Sequence, residues 1–165
     1  MKRKSVFVSC ATDLNPAQEE SRKIVLYLLG EAGFEARTLG KSDYPYHLPL
    51  MEVCNICEQC VGGVILGFEQ FRSNSGISKP GSVSEARVKA HTSFPTPWNQ
   101  LEAGILLARQ LPLLIFHEPQ VTGGIFDPGV IDVFTHPMPT SAMDERAREI
   151  FRKWRAEVQA KYKAA

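Results

Sequence analysis

Apolar and polar positions alternate along the chain in the manner of strands followed by helices. Residues 5–10 form a short β-branched and aromatic segment, which predicts a buried strand. Residues 15–18 combine an Asn N-cap, a Pro at the first helical position and a Gln at the third, which together are typical of a helix start. Behind them, apolar residues recur at helical spacing as far as Gly33, a typical C-terminal stop. The chain is therefore predicted to begin with a strand and a helix.

The same alternation continues to the end of the chain. Apolar segments predict further strands, and segments with helical spacing predict further helices. The predicted strands cover residues 34–39, 61–68, 111–117 and, at the sheet edge, 131–134; the predicted helices cover residues 49–60, 97–110 and 141 to about 163. Residues 69–95 differ from the rest, because their Ser- and Gly-rich composition predicts a long mobile loop, with a short helix at residues 83–91.

Five strands that alternate with helices predict an α/β fold in one domain spanning residues 1–165. We expect a mostly parallel five-stranded sheet with helices on both faces, in a flavodoxin-like three-layer sandwich. The 165 residues, 44% of them hydrophobic, suffice for a single core. Ligands of such sheets bind at the carboxyl ends of the strands, where the strand order reverses. The loops predicted to form the site are therefore residues 10–15, 40–48 and 69–97.

Charge and composition narrow the function classes. The chain carries a net charge of +1 and its two ends, residues 2–4 and 141–165, carry +3 each, so residues 5–140 sum to −5. An acidic body argues against a nucleic-acid-binding protein. The longest apolar stretches are shorter than a membrane span, and no signal peptide is visible, so no membrane association is expected. Four cysteines without an export signal indicate reduced thiols and a cytoplasmic protein.

The start of the helix predicted at residues 97–110 carries the first candidate chemistry. Trp98 and Glu102 are four residues apart and share one helix face. An indole beside a carboxyl group partly desolvates it, and desolvation raises the pKa of the carboxyl group. Such a group acts as a general acid or base, or stabilises a positively charged, sugar-like transition state. On spacing alone, a solvated Glu102 and an ordinary packing role for Trp98 remain the alternative.

The packing of this helix is also predicted. Leu101, Ile105 and Ala108 are expected to form its buried face. Gly104 is expected to permit close approach of the helix to the sheet.

Two segments resemble the sequence boxes of Toll/interleukin-1 receptor (TIR) domains. Residues 6–13 (VFVSCATD) resemble the first box, in which an apolar strand runs into Ser and a nearby Asp. Residues 97–102 (PWNQLE) are similar to the TIR segment in which a Trp is followed four residues later by the Glu of NAD-cleaving members. The resemblance implies a TIR-like domain that takes NAD as a substrate, needs no separate cofactor, and cleaves its N-glycosidic bond through Glu102.

The resemblance also implies substrate contacts and partners. The loop after the first strand would lie near ribose or phosphate, two tyrosines of the next loop would stack on a base, and the helix start would complete the site. These residues are Ser9, Cys10, Ala11 and Asp13, then Tyr44 and Tyr46, then Trp98 and Asn99. The implied partners are a small-molecule nucleotide and further TIR-like domains, including copies of this chain in a homo-oligomer.

A second family shares part of this pattern. Residues 102–104, Glu-Ala-Gly, followed by an apolar helix and strand, are similar to nucleoside 2-deoxyribosyltransferases and nucleotide N-glycosidases. Those enzymes carry an Asp on the helix before the third strand, where residues 49–60 offer Glu52, Asn55 and Glu58 instead. An enzyme of this group is the first alternative. A non-catalytic module that senses a nucleotide or self-assembles is the second.

Three cysteines, Cys54, Cys57 and Cys60, have a C-x2-C-x2-C spacing that also occurs in metal-cluster loops. Here they lie within a helical pattern that leads into a buried strand, which favours small buried hydrophobic residues. No second CxxC supplies further ligands. We therefore expect no metal site.

Overall fold

Strands and helices alternate through most of the chain. The structure, a computed structural model, describes residues 3–40 and 48–164. In chain order the elements are β1 (Lys4–Ser9), α1 (Pro16–Glu31), β2 (Phe34–Arg37), α2 (Pro49–Glu58), β3 (Gly63–Gly67), β4 (Phe71–Ser73), β5 (Gly76–Ser78), β6 (Ala86–Val88), β7 (Thr92–Phe94), α3 (Pro97–Ala108), β8 (Leu113–His117), a 3-10 turn (Gly124–Phe126), β9 (Thr135–Pro137) and α4 (Glu145–Ala164).

The main sheet is parallel throughout its described part. Its five described strands lie in the order β2-β1-β3-β8-β9. The central strands are almost continuously apolar because helices cover both of their faces. From β1 the chain passes outward to β2 and then returns across β1 to β3, so the strand order reverses between β1 and β3. The predicted flavodoxin-like three-layer arrangement is confirmed.

Two apolar clusters bind the helices to the sheet. On one face, α1 and α4 pack their buried side chains on Val6, Val64 and Phe116 of the sheet. On the other face, α2 and α3 pack on Phe7 and Ile65. The last helix, α4, packs through an apolar stripe in which Ala147, Phe151, Trp154 and Val158 are buried. Among the described helices, none is both long and apolar enough to cross a membrane.

The predicted signals at both ends of α1 are confirmed. The Gln18 backbone N–H donates to Asn15 Oδ1 at 2.9 Å, and the Asn15 backbone N–H donates to Gln18 Oε1 at 3.1 Å. This reciprocal pair satisfies two backbone donors that the first helical turn leaves open. At the other end, Gly33 has a φ of +86°, a left-handed conformation that favours glycine and ends the helix.

Residues 69–95 differ from the prediction. Instead of a loop with a helix at residues 83–91, the structure has β4 paired with β7 and β5 paired with β6, both antiparallel. They form two separate two-stranded sheets, and their registers differ by one residue, since Ser73 pairs with Thr92 whereas Gly76 pairs with Val88. We call residues 71–94 the β arm. The helix prediction is wrong because cross-strand pairing with Gly76–Ser78 outweighs the helical propensity of this segment.

The edge strand also differs from the prediction. Residues 135–137 form β9, whereas the apolar pattern predicts residues 131–134. Ile131 and Val133 pack against the cluster beneath α2 and α3 instead. The chain first comes alongside β8 where Thr135 pairs with Ile115. The apolar alternation at residues 131–134 therefore reflects packing against the core, and the strand begins only after it.

Candidate functional site

Glu102 lies on the face of α3 that packs toward the sheet. The buried residues of this helix are Asn99, Glu102, Ala103 and Leu106. The predicted buried face of Leu101, Ile105 and Ala108 is wrong: Leu101 is 51% exposed, Ala108 is exposed and Ile105 is only partly buried. The helix is therefore rotated so that a carboxyl and an amide face the interior. Glu102 is only 7% exposed as a result.

The close approach of α3 to the sheet depends on Gly63 rather than on Gly104. A Cβ atom added at Gly63 would lie 2.4 Å from Leu106 Cδ1. A Cβ atom added at Gly104 would meet no atom within 4 Å, so the prediction for Gly104 is wrong. Gly63 lies at the start of β3, and its missing side chain lets Leu106 pack directly on the strand.

A cleft of about 330 Å³ opens at the carboxyl edge of the sheet, where the strand order reverses. The loop after β1 forms one wall, and the start of α3 with Glu102 forms another. Its lining residues are Cys10, Ala11, Thr12, Leu39, Gly40, Pro49, Gln70, Thr96, Trp98 and Glu102. This is the place at which ligands bind in sheets of this topology. Among the described residues that line the cleft, Glu102 is the one that carries a carboxyl group.

Burial raises the pKa of Glu102 from its ordinary value of 4.5 to about 7, because the charged carboxylate loses solvation. A hydrogen bond from the Ser9 side chain acts in the opposite direction, since it favours the charged form. Near neutral pH both protonation states of Glu102 are therefore populated. A carboxyl group in this condition exchanges a proton readily and also supplies a negative charge where solvent screening is weak.

Ser9 and Asn99 lie behind Glu102 and do not line the cleft. Ser9 is 1% exposed and Asn99 is 0% exposed. The Asn99 Nδ2 group donates a hydrogen bond to Ser9 Oγ at 2.7 Å. Asn99 Oδ1 is buried and has no hydrogen-bond partner among the described residues. β1 and α3 are thus joined beneath Glu102 by a buried polar contact.

The structure brings some of the predicted site residues together. Cys10, Ala11 and Trp98 line the same cleft as Glu102, and Trp98 is 40% exposed there. Asp13 is exposed outside the lining, and its backbone carbonyl accepts a hydrogen bond from Gln70 Nε2. Tyr44 and Tyr46, the predicted base-stacking residues, lie outside the described residues.

Sequence reasoning missed other lining residues. Thr12 lies within the first recognised segment, and Thr96 directly precedes the second. The Thr96 hydroxyl accepts the Trp98 backbone N–H as the N-cap of α3. The Thr-Pro pair before α3 was a signal for this cap. Gln70 enters the cleft from the segment just before the β arm. It belongs to the loop at residues 69–97 that was predicted to help form the site, but no sequence pattern singled out this residue.

The base of the β arm is fixed by a polar cluster beside the cleft. The Ser93 hydroxyl and the Arg72 guanidinium both donate to the Glu69 carboxylate. These contacts, with Arg72 as the largest contributor, lower the pKa of Glu69 to about 2. On the other side, Glu118 Oε2 accepts the Glu69 backbone N–H at 2.6 Å and Gln18 Nε2 at 3.0 Å. The start of the arm is therefore tied to both α1 and the end of β8.

The cysteine cluster lies apart from this chemistry. Among residues 3–40 and 48–164, no group of three or more His, Cys, Asp or Glu side chains is arranged to hold a metal ion. Cys57 and Cys60 are buried and Cys54 is partly buried. Burial raises the pKa of Cys57 to about 12, so its thiol stays protonated. This environment is that of a packing residue.

Comparison with known proteins gives a result for the fold. No protein-family model matches the chain, and no curated protein sequence matches it. Its structure is similar to the metal-soaked Flv1 flavodiiron core from Synechocystis sp. PCC6803, with a TM-score of 0.50 and 10% sequence identity. The match covers 94% of this chain and 36% of that chain, so this chain spans about a third of the length of that protein. The likeness concerns the fold alone, and the chain is an α/β protein of flavodoxin-like architecture.

Proposed function

We propose that this chain binds a nucleotide of the NAD class in the cleft and hydrolyses its N-glycosidic bond through Glu102. The observation that carries the proposal is a carboxyl group with a pKa of about 7, only 7% exposed, on the wall of a cleft at the strand-order reversal. The TIR resemblance of residues 6–13 and 97–102 supports the substrate class. Both segments contribute residues to this one cleft, although they are far apart in sequence.

The chemistry suits a carboxylate. When the bond between the ribosyl carbon and the nicotinamide nitrogen breaks, its electron pair leaves with nicotinamide and the ribosyl carbon becomes positively charged. The Glu102 carboxylate stabilises this charge or attacks the carbon. Water then adds to the same carbon, displacing the Glu102 carboxylate where it has bonded, and loses a proton, which gives ADP-ribose. The reaction consumes one NAD and one water and releases nicotinamide, ADP-ribose and a proton.

The lining of the cleft favours the nicotinamide riboside half of the substrate. About 330 Å³ is at the small end of the range for ligand pockets. None of the described lining residues is basic, so the described cleft offers no cationic partner for a pyrophosphate. Trp98 supplies an aromatic side chain, and Thr12 and Gln70 supply groups that bind hydroxyls or an amide. We place the cationic nicotinamide ring and its ribose beside Glu102.

The test is release of nicotinamide from NAD by the purified chain. We expect Glu102→Gln to lose activity by a factor of about 10² to 10³, equivalent to roughly 3–4 kcal/mol of transition-state stabilisation. Glu157→Gln, the same substitution at an exposed position on α4, serves as the control and should keep full activity. The assay includes high protein concentrations, because a chain that is active only after self-assembly would show no activity when dilute.

Two other outcomes identify the alternatives. Nucleoside 5′-monophosphates are assayed in parallel, and their cleavage without cleavage of NAD would assign the chain to the nucleotide N-glycosidase group. If wild type and Glu102→Gln are equally inactive on every substrate at all concentrations while the chain self-associates, it is a non-catalytic module and the proposal fails.

A further inference from the structure

Three side chains from two elements form a chain of contacts that ends at Glu102. Asn99 Nδ2 donates to Ser9 Oγ at 2.7 Å, and the Ser9 side chain in turn lies beside the Glu102 carboxyl group and favours its charged form. Ser9 is at the end of β1, whereas Asn99 and Glu102 are on one face of α3. All three are at least nine-tenths buried. Water therefore does not compete with the contact between Asn99 and Ser9, which lies behind the cleft.

The direction of the contacts follows from the donor inventory. A serine hydroxyl has one proton and accepts through its lone pairs. Because Asn99 is a donor to Ser9 Oγ, the Ser9 proton is free to point to Glu102. A hydrogen bond donated to a carboxyl oxygen favours the ionised form of that carboxyl group.

Asn99 has an unmatched polar atom that calls for an explanation. Its Oδ1 is buried and lacks a donor among the residues that the structure describes. A buried acceptor without a donor destabilises the fold, so such atoms are rare and concentrate at functional positions. An apolar residue at position 99 would avoid this cost. The amide is explained if its Nδ2 group is needed to orient Ser9.

We propose that Ser9 and Asn99 are positioning residues: Asn99 orients the Ser9 hydroxyl, and Ser9 donates to Glu102 and thereby keeps the carboxylate available near neutral pH. Both residues were predicted from the sequence to contact the substrate, and their burial points to this different role. The catalytic part of the inference rests on the proposed function. The effect on the titration of Glu102 does not, because it is a property of the folded chain.

Few other charged or titratable groups near Glu102 affect its protonation. From α2, the Cys57 thiol lies in its electrostatic range, but its pKa of about 12 keeps it neutral. From the loop after β1, Cys10 lines the same cleft and its thiol donates to the Ala11 carbonyl. On α3 itself, the Arg109 guanidinium is bound to Glu58 at 2.8 Å. In the described part of the chain, Ser9 is the side chain that favours the charged form of Glu102.

The first experiment measures the titration of Glu102 directly, by NMR of the 13C-labelled side-chain carboxyl in substrate-free protein, with Glu102→Gln to assign the signal. We expect a midpoint near pH 7 in wild type. Ser9→Ala should raise the midpoint by about one pH unit, because the charged form loses a hydrogen bond. Asn99→Ala should raise it by less, since the Ser9 hydroxyl remains but is no longer oriented. Ser5→Ala, near the amino-terminal end of the same strand, should leave the midpoint unchanged.

A second measurement needs no variant and covers the case in which Ser9→Ala does not fold. In wild type, the Ser9 hydroxyl proton should exchange slowly with solvent and show a nuclear Overhauser contact to the Glu102 side chain. A hydroxyl proton that points to Asn99 instead, or an unchanged midpoint in folded Ser9→Ala, overturns the inference. Normal titration shifts in a chain that releases no nicotinamide would refute the proposed function and leave this inference intact.

The activity has a matching signature if the proposed function holds. Because the reaction uses the carboxylate, kcat/KM should rise with pH through about 7 in wild type. In Ser9→Ala the same rise should occur about one pH unit higher, so activity is reduced at pH 7 and restored at pH 9. A purely structural role for Ser9 would lower activity at all pH values without moving the profile.

Discussion

Burial gives Glu102 its chemical character. Only 7% of its surface is exposed and its pKa is about 7, whereas a glutamate in contact with solvent stays ionised at neutral pH. The Trp98–Glu102 spacing predicted a partly desolvated carboxyl group, but the structure attributes the desolvation to the packing of α3 against the sheet. Sequence spacing identified the residue, whereas the orientation of the helix that buries it could not be deduced from spacing.

Occupation of the cleft can be tested at Cys10. Its thiol is partly buried and lines the cleft, whereas Cys54 is partly buried on α2 and does not line it. The proposed function predicts that Glu102→Gln binds NAD without cleaving it, so that saturating NAD slows alkylation of Cys10 by iodoacetamide several-fold in this variant and leaves the rate at Cys54 unchanged. Peptide mass spectrometry after timed alkylation measures both rates. Equal rates at Cys10 with and without NAD would place the ligand elsewhere.

At the scale of single elements, the face of α3 shows where hydrophobic periodicity fails. Leu101, Ile105 and Ala108 are the apolar set at helical spacing, yet Glu102, Ala103 and Leu106 face the sheet. Counting apolar positions cannot identify a buried polar face, because the hydrogen bonds that offset the cost of burying it come from other elements. Ser9 supplies such a hydrogen-bond partner for Asn99, and the two residues are 90 positions apart.

Two glycines provide a matched test of how α3 packs. Gly63→Ala places a Cβ atom 2.4 Å from Leu106 Cδ1 and should destabilise the fold by about 1–3 kcal/mol through overpacking. Gly104→Ala meets nothing within 4 Å and should stabilise it by up to about 1 kcal/mol, because alanine is the better helix former. Urea unfolding of both variants against wild type gives the free energies. Destabilisation by Gly104→Ala would show that α3 lies closer to the sheet than described.

At the scale of the whole molecule, the topology was predictable and the insertion was not. Alternating apolar strands and amphipathic helices define a doubly wound parallel sheet almost uniquely, because the crossovers have a fixed hand. The β arm depends instead on cross-strand pairs between short, largely exposed strands, which leave no clear period in the sequence. Its base is held by Glu69, Ser93 and Glu118, which come from three separate segments.

Glu102 should also shape the pH dependence of global stability. Its folded-state pKa is above its unfolded value of 4.5, so the folded chain holds the extra proton between pH 4.5 and about 7. Its contribution to the free energy of unfolding is therefore full below pH 4.5 and is lost as the pH rises through 7. Glu102→Gln cannot lose it, and should be more stable than wild type at pH 8 by about 2–3 kcal/mol relative to the difference at pH 4.5.

Urea unfolding at several pH values measures this difference. Glu69, whose pKa is lowered to about 2, contributes in the opposite sense, with stability lost as the pH falls below 4.5. Because that effect is common to both proteins, it cancels in the comparison. Glu157→Gln is the control and should show the same pH dependence as wild type. Parallel curves for wild type and Glu102→Gln would mean that position 102 is ionised normally in the folded chain.

The β arm has a consequence for how this architecture can vary. The Gln70 backbone N–H donates to the Phe94 carbonyl at 2.9 Å, so the two ends of the insertion meet and close on each other. Beyond that junction Ser93 still bonds to residues 120–122, but the hydrogen bonds of residues 74–90 are made within the arm. The length of this outer part is therefore independent of the position of Glu102. The outer part of the arm can therefore be lengthened, shortened or replaced at a small entropic cost, which would change what approaches the cleft while Glu102 keeps its position.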